Sequence, residues 1–130
     1  MLQITEEQTD RNLLELADLM DQVQARHGHF DMQRWVKMTQ GEQPNSCRTP
    51  SCAAGWWAHH RYGVSDWPQD NSARTMAQYF SNIIERDFGI GQDTREFARL
   101  FGAHPHRTAA AEARMLREFV ELRQLARAER

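Results

Sequence analysis

The sequence predicts an all-α fold: a compact single-domain bundle of five to six helices of unequal length, packed obliquely. Three observations point there. Apolar residues recur at three- and four-residue steps in one segment after another. Glycines and small polar residues punctuate those segments where helix caps would fall. Apolar/polar alternation is never sustained and β-branched residues are scarce, so no strand emerges. Short connectors and uneven lengths favour oblique packing over a regular four-helix bundle.

Each element follows in order. Thr5, with Gln8 three residues on, is a capping-box start. Leu13, Leu16, Ala17, Met20 and Val23 then form one apolar face, and the helix is expected to end near His27-Gly28. Asp31 caps a short helix that carries Met32, Trp35 and Val36 inward. Thr39 to Ser46, with Gly41, Pro44 and Asn45, reads as a loop. A third helix runs from about Pro50 to Tyr62 and is stopped by Gly63. After an irregular connection, Asn71 or Ser72 opens a helix with Met76, Tyr79, Phe80, Ile83, Ile84 and Phe88 on one stripe, closed by Gly89. Asp93 or Thr94 starts a shorter one through Phe97, Leu100 and Phe101, ending at Gly102. Thr108 caps the last helix, with Met115, Leu116, Phe119, Val120 and Leu122 toward the core. The domain spans 1–130, with about 1–4 and 124–130 fraying.

Composition narrows the function classes. A chain of 130 residues with 40% hydrophobic and 26% charged residues can bury a core of its own. A formal net charge of −2 argues against a nucleic-acid binder held by a strong positive field. No apolar run approaches the ~20 residues of a membrane span. The start, Met1-Leu2-Gln3-Ile4-Thr5-Glu6-Glu7, is acidic and unlike a secretory signal. The expected location is therefore cytoplasmic, with Cys47 and Cys52 reduced. Lys37 is the one lysine among the 16 basic residues. Arginine suits bidentate anion contacts, but a GC-rich coding genome accounts for the bias more simply.

The stretch from Cys47 to Trp57 carries the most information. Thr49 can cap the helix that follows, and Pro50 fits its first position because its missing N–H leaves nothing unpaired. Gly55 inside that helix costs roughly 1 kcal/mol against alanine. A glycine kept there suggests a close neighbour, such as another helix.

Several chemistries compete for these residues. Cys47, Cys52, His59 and His60 supply zinc-ligand types. On one straight helix, however, Cys52 and His59 would lie about 10 Å apart along the axis, a poor spacing for one ion. No metal and no cofactor is therefore assigned. Cys52 near a helix N-terminus, beside Arg48, could have a lowered thiol pKa, yet there is no Cys-x-x-Cys pair. The simpler reading makes both thiols small buried hydrophobes. The pairs His27/His29, His59/His60 and His104/His106 have no serine or carboxylate at a recognisable motif spacing. His27 and His60 suit helix C-termini, where a cation is favoured.

Surface candidates come from the first helix and the tryptophans. Glu6, Glu7, Asp10, Glu15, Asp18 and Asp21 form an acidic side that could occupy a basic groove on a partner, or simply be solvated. Trp56 and Trp57 point about 100° apart, so one fills the core and the other reaches outward. Trp57 and Trp67 are the candidate interface anchors. On the last helix, Arg107, Arg114, Arg117, Arg123 and Arg127 could form a basic stripe for DNA or RNA. Interleaved Glu112, Glu118, Glu121 and Glu129 point instead to a salt-bridged solvent face.

Cys47, Thr49, Cys52, Ala54 and Gly55 resemble a Cys-Gly-Thr-x-x-Cys-x-Ala-Gly signature of small proteins encoded by bacteriophages, prophages and some bacterial genomes. Arg48 stands where that family usually has glycine. Phe30, Asp31, Met32 and Trp35 match an upstream element of the family. Leu100-Phe101 and the segment 110–120 are similar to a downstream Leu-Phe element and an Ala- and Arg-rich helix. The resemblance covers about residues 28 to 122. It brings no established activity or cofactor, and it implies origin more than chemistry. Small phage proteins of this kind commonly bind and inhibit a host protein, CRISPR and other defence components included. The expectation is a non-enzymatic protein, monomer or homodimer, that binds a host protein in the host cytoplasm, with the cysteine segment as scaffold. The alternative is a small metal- or thiol-dependent enzyme centred on Cys47, Cys52 and the nearby histidines. A symmetric dimer through Leu122, Leu125 and Ala126 is a further option.

Overall fold

The computed structural model describes residues 4–25, 53–62, 73–102 and 107–129. Five helices run through them: α1 (Glu6–Ala25), α2 (Ala53–Tyr62), α3 (Ala73–Phe88), α4 (Arg95–Phe101) and α5 (Ala109–Ala128). The described residues contain no strand, and the fold is all-α. The short helix expected over Phe30–Val36, Cys47, Thr49, Cys52 and Trp67 lie outside them.

Three of the predicted caps are in place, although the Gln8 side chain meets Asn12 instead of closing a capping box, and those expected at Asp31, Thr49 and Asn71 or Ser72 lie outside the described residues. Thr5 Oγ1 accepts the Gln8 N–H at 3.1 Å and opens α1. Thr94 Oγ1 accepts the Phe97 N–H at 3.2 Å and Thr108 Oγ1 accepts the Ala111 N–H at 3.0 Å, opening α4 and α5. Gly89 ends α3 at φ +66°, a left-handed conformation that favours glycine, and donates its N–H to the Glu85 carbonyl at 3.0 Å. A Cβ there would also meet Ile4 Cγ2 at 3.4 Å. Gly102 ends α4, where a Cβ would overlap the Ala98 carbonyl.

The core gathers one stripe from each helix. α1 contributes Leu13, Leu16, Ala17, Met20 and Val23, as its periodicity predicts. α3 contributes Phe80, Ile83, Ile84 and Phe88. Trp57, Phe88, Phe101 and Phe97 form a chain of rings across α2, α3 and α4, with successive centroids 4.9, 5.4 and 6.2 Å apart. Ala109, Ala113, Leu116 and Val120 are the inward residues of α5.

One expectation for α5 needs correction. Leu122 is 56% exposed and is not part of the core. It follows Val120 by two residues, about 200° around the helix, which places it on the opposite side. The helix itself continues to Ala128. Arg123 and Arg127 hold this end by reaching the Asp10 carboxylate on α1. Arg117 meets Asp18 and Asp21, and the Ala110 N–H meets Gln24 Oε1. This register makes α1 and α5 antiparallel, and theirs is the most extensive helix pairing among the described residues.

Candidate functional site

The acidic side of α1 is largely engaged within the chain. Asp10 is buried at 4% exposure, with Arg123 Nε donating to Oδ1 at 2.9 Å and Arg127 donating to Oδ2. It cannot serve as the exposed contact expected from the sequence. Arg117 donates to Asp18 at 2.9 Å and to Asp21 at 2.5 Å. Hydrogen bonds to those carboxylates, Asp21 first, raise the Arg117 pKa. Glu15 faces His60 at 3.3 Å and Arg61 at 3.7 Å, and Glu6 faces Arg127 at 3.7 Å. Glu7 is exposed. The arginines expected as a basic stripe on α5 are thus divided: Arg117, Arg123 and Arg127 neutralise α1, while Arg114 faces solvent.

Trp57 is fully buried, which removes it as an interface anchor. α2 packs against both α1 and α3, so the ring that points between them is enclosed, and Trp56 is the half-buried one. Trp57 Nε1 donates to Asp87 Oδ2 at 2.8 Å, and Tyr62 OH donates to the same oxygen at 2.6 Å. Arg86 Nε approaches Oδ1 at 3.4 Å. The Asp87 main-chain carbonyl accepts from Asn12 Nδ2 at 2.7 Å, and Asn12 is in turn held by Gln8 Nε2 at 2.9 Å. Asp87 therefore ties α1 and α2 to the C-terminal end of α3. Burial, and then the hydrogen bond to Asp87, push the Tyr62 phenol above its ordinary range.

Ala54 and Gly55 of the cysteine motif are buried in α2. Phe30, Asp31 and Trp35 lie outside the described residues, with Cys47, Thr49 and Cys52, and so does the His59 side chain. His60 is exposed beside Glu15 and in ring contact with Trp57, their centroids 6.0 Å apart.

Two features remain, one a side of α5 that the sequence offered as a dimer contact and one a carboxylate expected in solvent. The first is the outward side of α5, where Leu122 and Leu125 are 56% and 55% exposed and Ala126 is exposed beside them. Glu118, Glu121 and Glu129 are exposed around these residues. The spacing of Leu122 and Leu125 was legible; that they face away from α1 was not. The second is Glu112, expected on a solvated face but fully enclosed. It shares its face with Ala109, Ala113 and Leu116, whose spacing could have flagged it. Arg107 Nη1 donates to Glu112 Oε1 at 2.8 Å, while Oε2 has no hydrogen-bond partner. Burial pushes the carboxyl pKa up to about 7, against the opposing pull of Arg107.

Comparison with protein-family models, with curated proteins and with solved structures finds no match to this chain.

Proposed function

We propose that this chain is a non-enzymatic protein-binding module that acts stoichiometrically on a host protein. The carrying observation is the division of α5 into two unlike sides. Arg117, Arg123 and Arg127 turn toward α1, while Leu122 and Leu125 stand in solvent among three exposed glutamates. Apolar side chains ringed by one sign of charge suit a partner surface with an apolar centre and a basic rim. A second copy of the chain is the poorer fit, because a twofold contact sets a patch against itself and would bring the glutamates together. The origin implied by the cysteine-motif resemblance is phage or prophage, and a defence system such as CRISPR is the class of target it favours.

The test pairs wild type with a Leu122→Lys/Leu125→Lys variant of equal helicity by circular dichroism. Each is immobilised and exposed to bacterial lysate at low and moderate salt. A protein retained by wild type and lost with the variant supports this reading, and salt-sensitive retention supports the basic rim. Identical retention by both chains, or none by either across several host lysates, overturns it.

A further inference from the structure

On the reading of the outward side of α5 as a protein-binding surface, we propose that the element it receives is a single basic amphipathic helix of the partner. The order of the side chains along α5 points there first. Leu122 and Leu125 are the exposed large apolar residues of this helix. Glu118 and Glu121 each stand four residues before a leucine, and Glu129 stands four residues after Leu125, all three in solvent. Residues four apart lie one above the other on a helix, so two rows run along this side: Glu118-Leu122-Ala126 and Glu121-Leu125-Glu129. Such rows are the ridges that enter the grooves of a second helix, with the axes about 8–10 Å apart. The apolar centre is closed by a carboxylate at both ends, and Glu121 and Glu129 are about 12 Å apart along the axis.

The charge on this side is the second pointer. On an isolated helix, arginines three or four residues away would offset these glutamates. Here α1 has drawn the arginines off. Arg117, four residues before Glu121, is held by Asp18 and Asp21, and Arg123 and Arg127 are held by Asp10. Arg114, one turn before Glu118, is the remaining cation of α5 in solvent. The pairing that fastens α5 to α1 therefore leaves its outer carboxylates without a neutralising partner among the arginines of their own helix.

A phosphate backbone or an anionic lipid surface would be repelled by such a rim. A helix with two apolar residues three apart, and lysine or arginine one turn beyond each, matches both the rows and their charge. Its apolar pair would lie against Leu122 and Leu125, and its cations would meet the carboxylates at either end.

The probe is an alanine-based peptide of about 20 residues, long enough to hold a helix, with two leucines three residues apart and a lysine four residues before the first and four after the second. Titrated at about 50 mM salt into the isotope-labelled full chain, it should shift the amide signals of residues 118–129 and leave those of α2 and α3 in place. The same peptide with glutamates for the lysines should bind at least about tenfold more weakly. In Glu118→Gln/Glu121→Gln/Glu129→Gln, which keeps the helix propensity, the lysine peptide should weaken about tenfold and most of the preference between the peptides should vanish. Equal affinity of wild type for both peptides, shifts centred outside α5, or no saturable shift with the lysine peptide overturns the proposal. In that last case, a lysate protein still retained through Leu122 and Leu125 would leave the binding-module reading standing with a different contacting element, whereas loss of that retention as well would remove both.

Discussion

α5 meets a buried carboxylate at each of its ends, and the two are handled differently. At the C-terminal end, Asp10 has a separate guanidinium on each oxygen, from Arg123 and Arg127. At the N-terminal end, Glu112 has one guanidinium on one oxygen and nothing on the other. Both carboxylates lie within the fold, and burial drives Glu112 toward neutrality. Burial alone does not decide whether a carboxylate fastens two helices or strains the contact; the number of donors that meet it does. The arginines of Asp10 are also partly open to water, at 27% and 23% exposure, while Arg107 and Glu112 are shut in.

The largest effect should come from breaking the poorly satisfied end. Arg107→Ala leaves Glu112 with no partner among the described side chains and strips the Arg99 carbonyl of its donor. At pH 8, where the carboxyl must otherwise ionise, the expected loss is about 3–5 kcal/mol of unfolding free energy. At pH 5 the carboxyl is protonated, and less than half of that loss should remain. Urea denaturation at the two pH values separates these outcomes, and an equal loss at both would mean that Glu112 carries no pH-dependent strain.

Wild type should show the same asymmetry on a smaller scale. The Glu112 pKa lies near 7 folded against an ordinary value of 4.5, so it is raised by folding. A raised carboxyl pKa means that the folded state binds the proton more tightly. Its contribution is full below about 4.5 and is lost as the pH climbs to about 7, for a total of about 3 kcal/mol. This runs opposite to ordinary acid denaturation, in which paired carboxylates favour folding above their unfolded pKa. A stability maximum on the acid side of neutrality, shifted upward by Glu112→Gln, is the expected calorimetric result.

At the well-satisfied end, Asp10→Asn should cost less, about 1.5–3 kcal/mol, because Arg123 and Arg127 can turn to water when the charge is removed. Tyr62→Phe tests the same rule at Asp87. Trp57 still donates to the oxygen that Tyr62 leaves, so the loss should be only about 1 kcal/mol in thermal unfolding.

Much of this framework was legible in the sequence. Thr5, Thr94 and Thr108 cap helices, and Gly89 and Gly102 close them, because caps and left-handed turns depend on residues within one turn of chain. What required the tertiary arrangement was the choice of side. Trp56 and Trp57 are equally apolar, and only the placement of α2 against α1 and α3 determines which one is enclosed. The glutamates and arginines of α5 have spacings suited to pairing along one helix, yet the antiparallel α1 offers the arginines carboxylates at better geometry. Glu112 sits among alanines on the inward face, and its chemical type concealed what its spacing disclosed. Of the anticipated contact surface, Trp57 and Asp10 turned inward.

The smallest effect on stability belongs to the outward side of α5, and this sharpens the contrast with its arginine side. In Leu122→Lys/Leu125→Lys, each new ammonium lies four residues after a glutamate, Glu118 or Glu121, an order that favours ion pairing along a helix. Leucine and lysine also have similar helix propensities. Little apolar burial is lost, since both leucines are already more than half in solvent. Thermal unfolding should therefore place the variant within about 0.5 kcal/mol of wild type. A loss above about 2 kcal/mol would show that the leucines are packed in solution, and the face would then belong to the chain's own framework instead of to a partner. With stability unchanged and partner capture lost, the two sides of α5 would have separate tasks, the arginines holding the fold and the leucines meeting another protein.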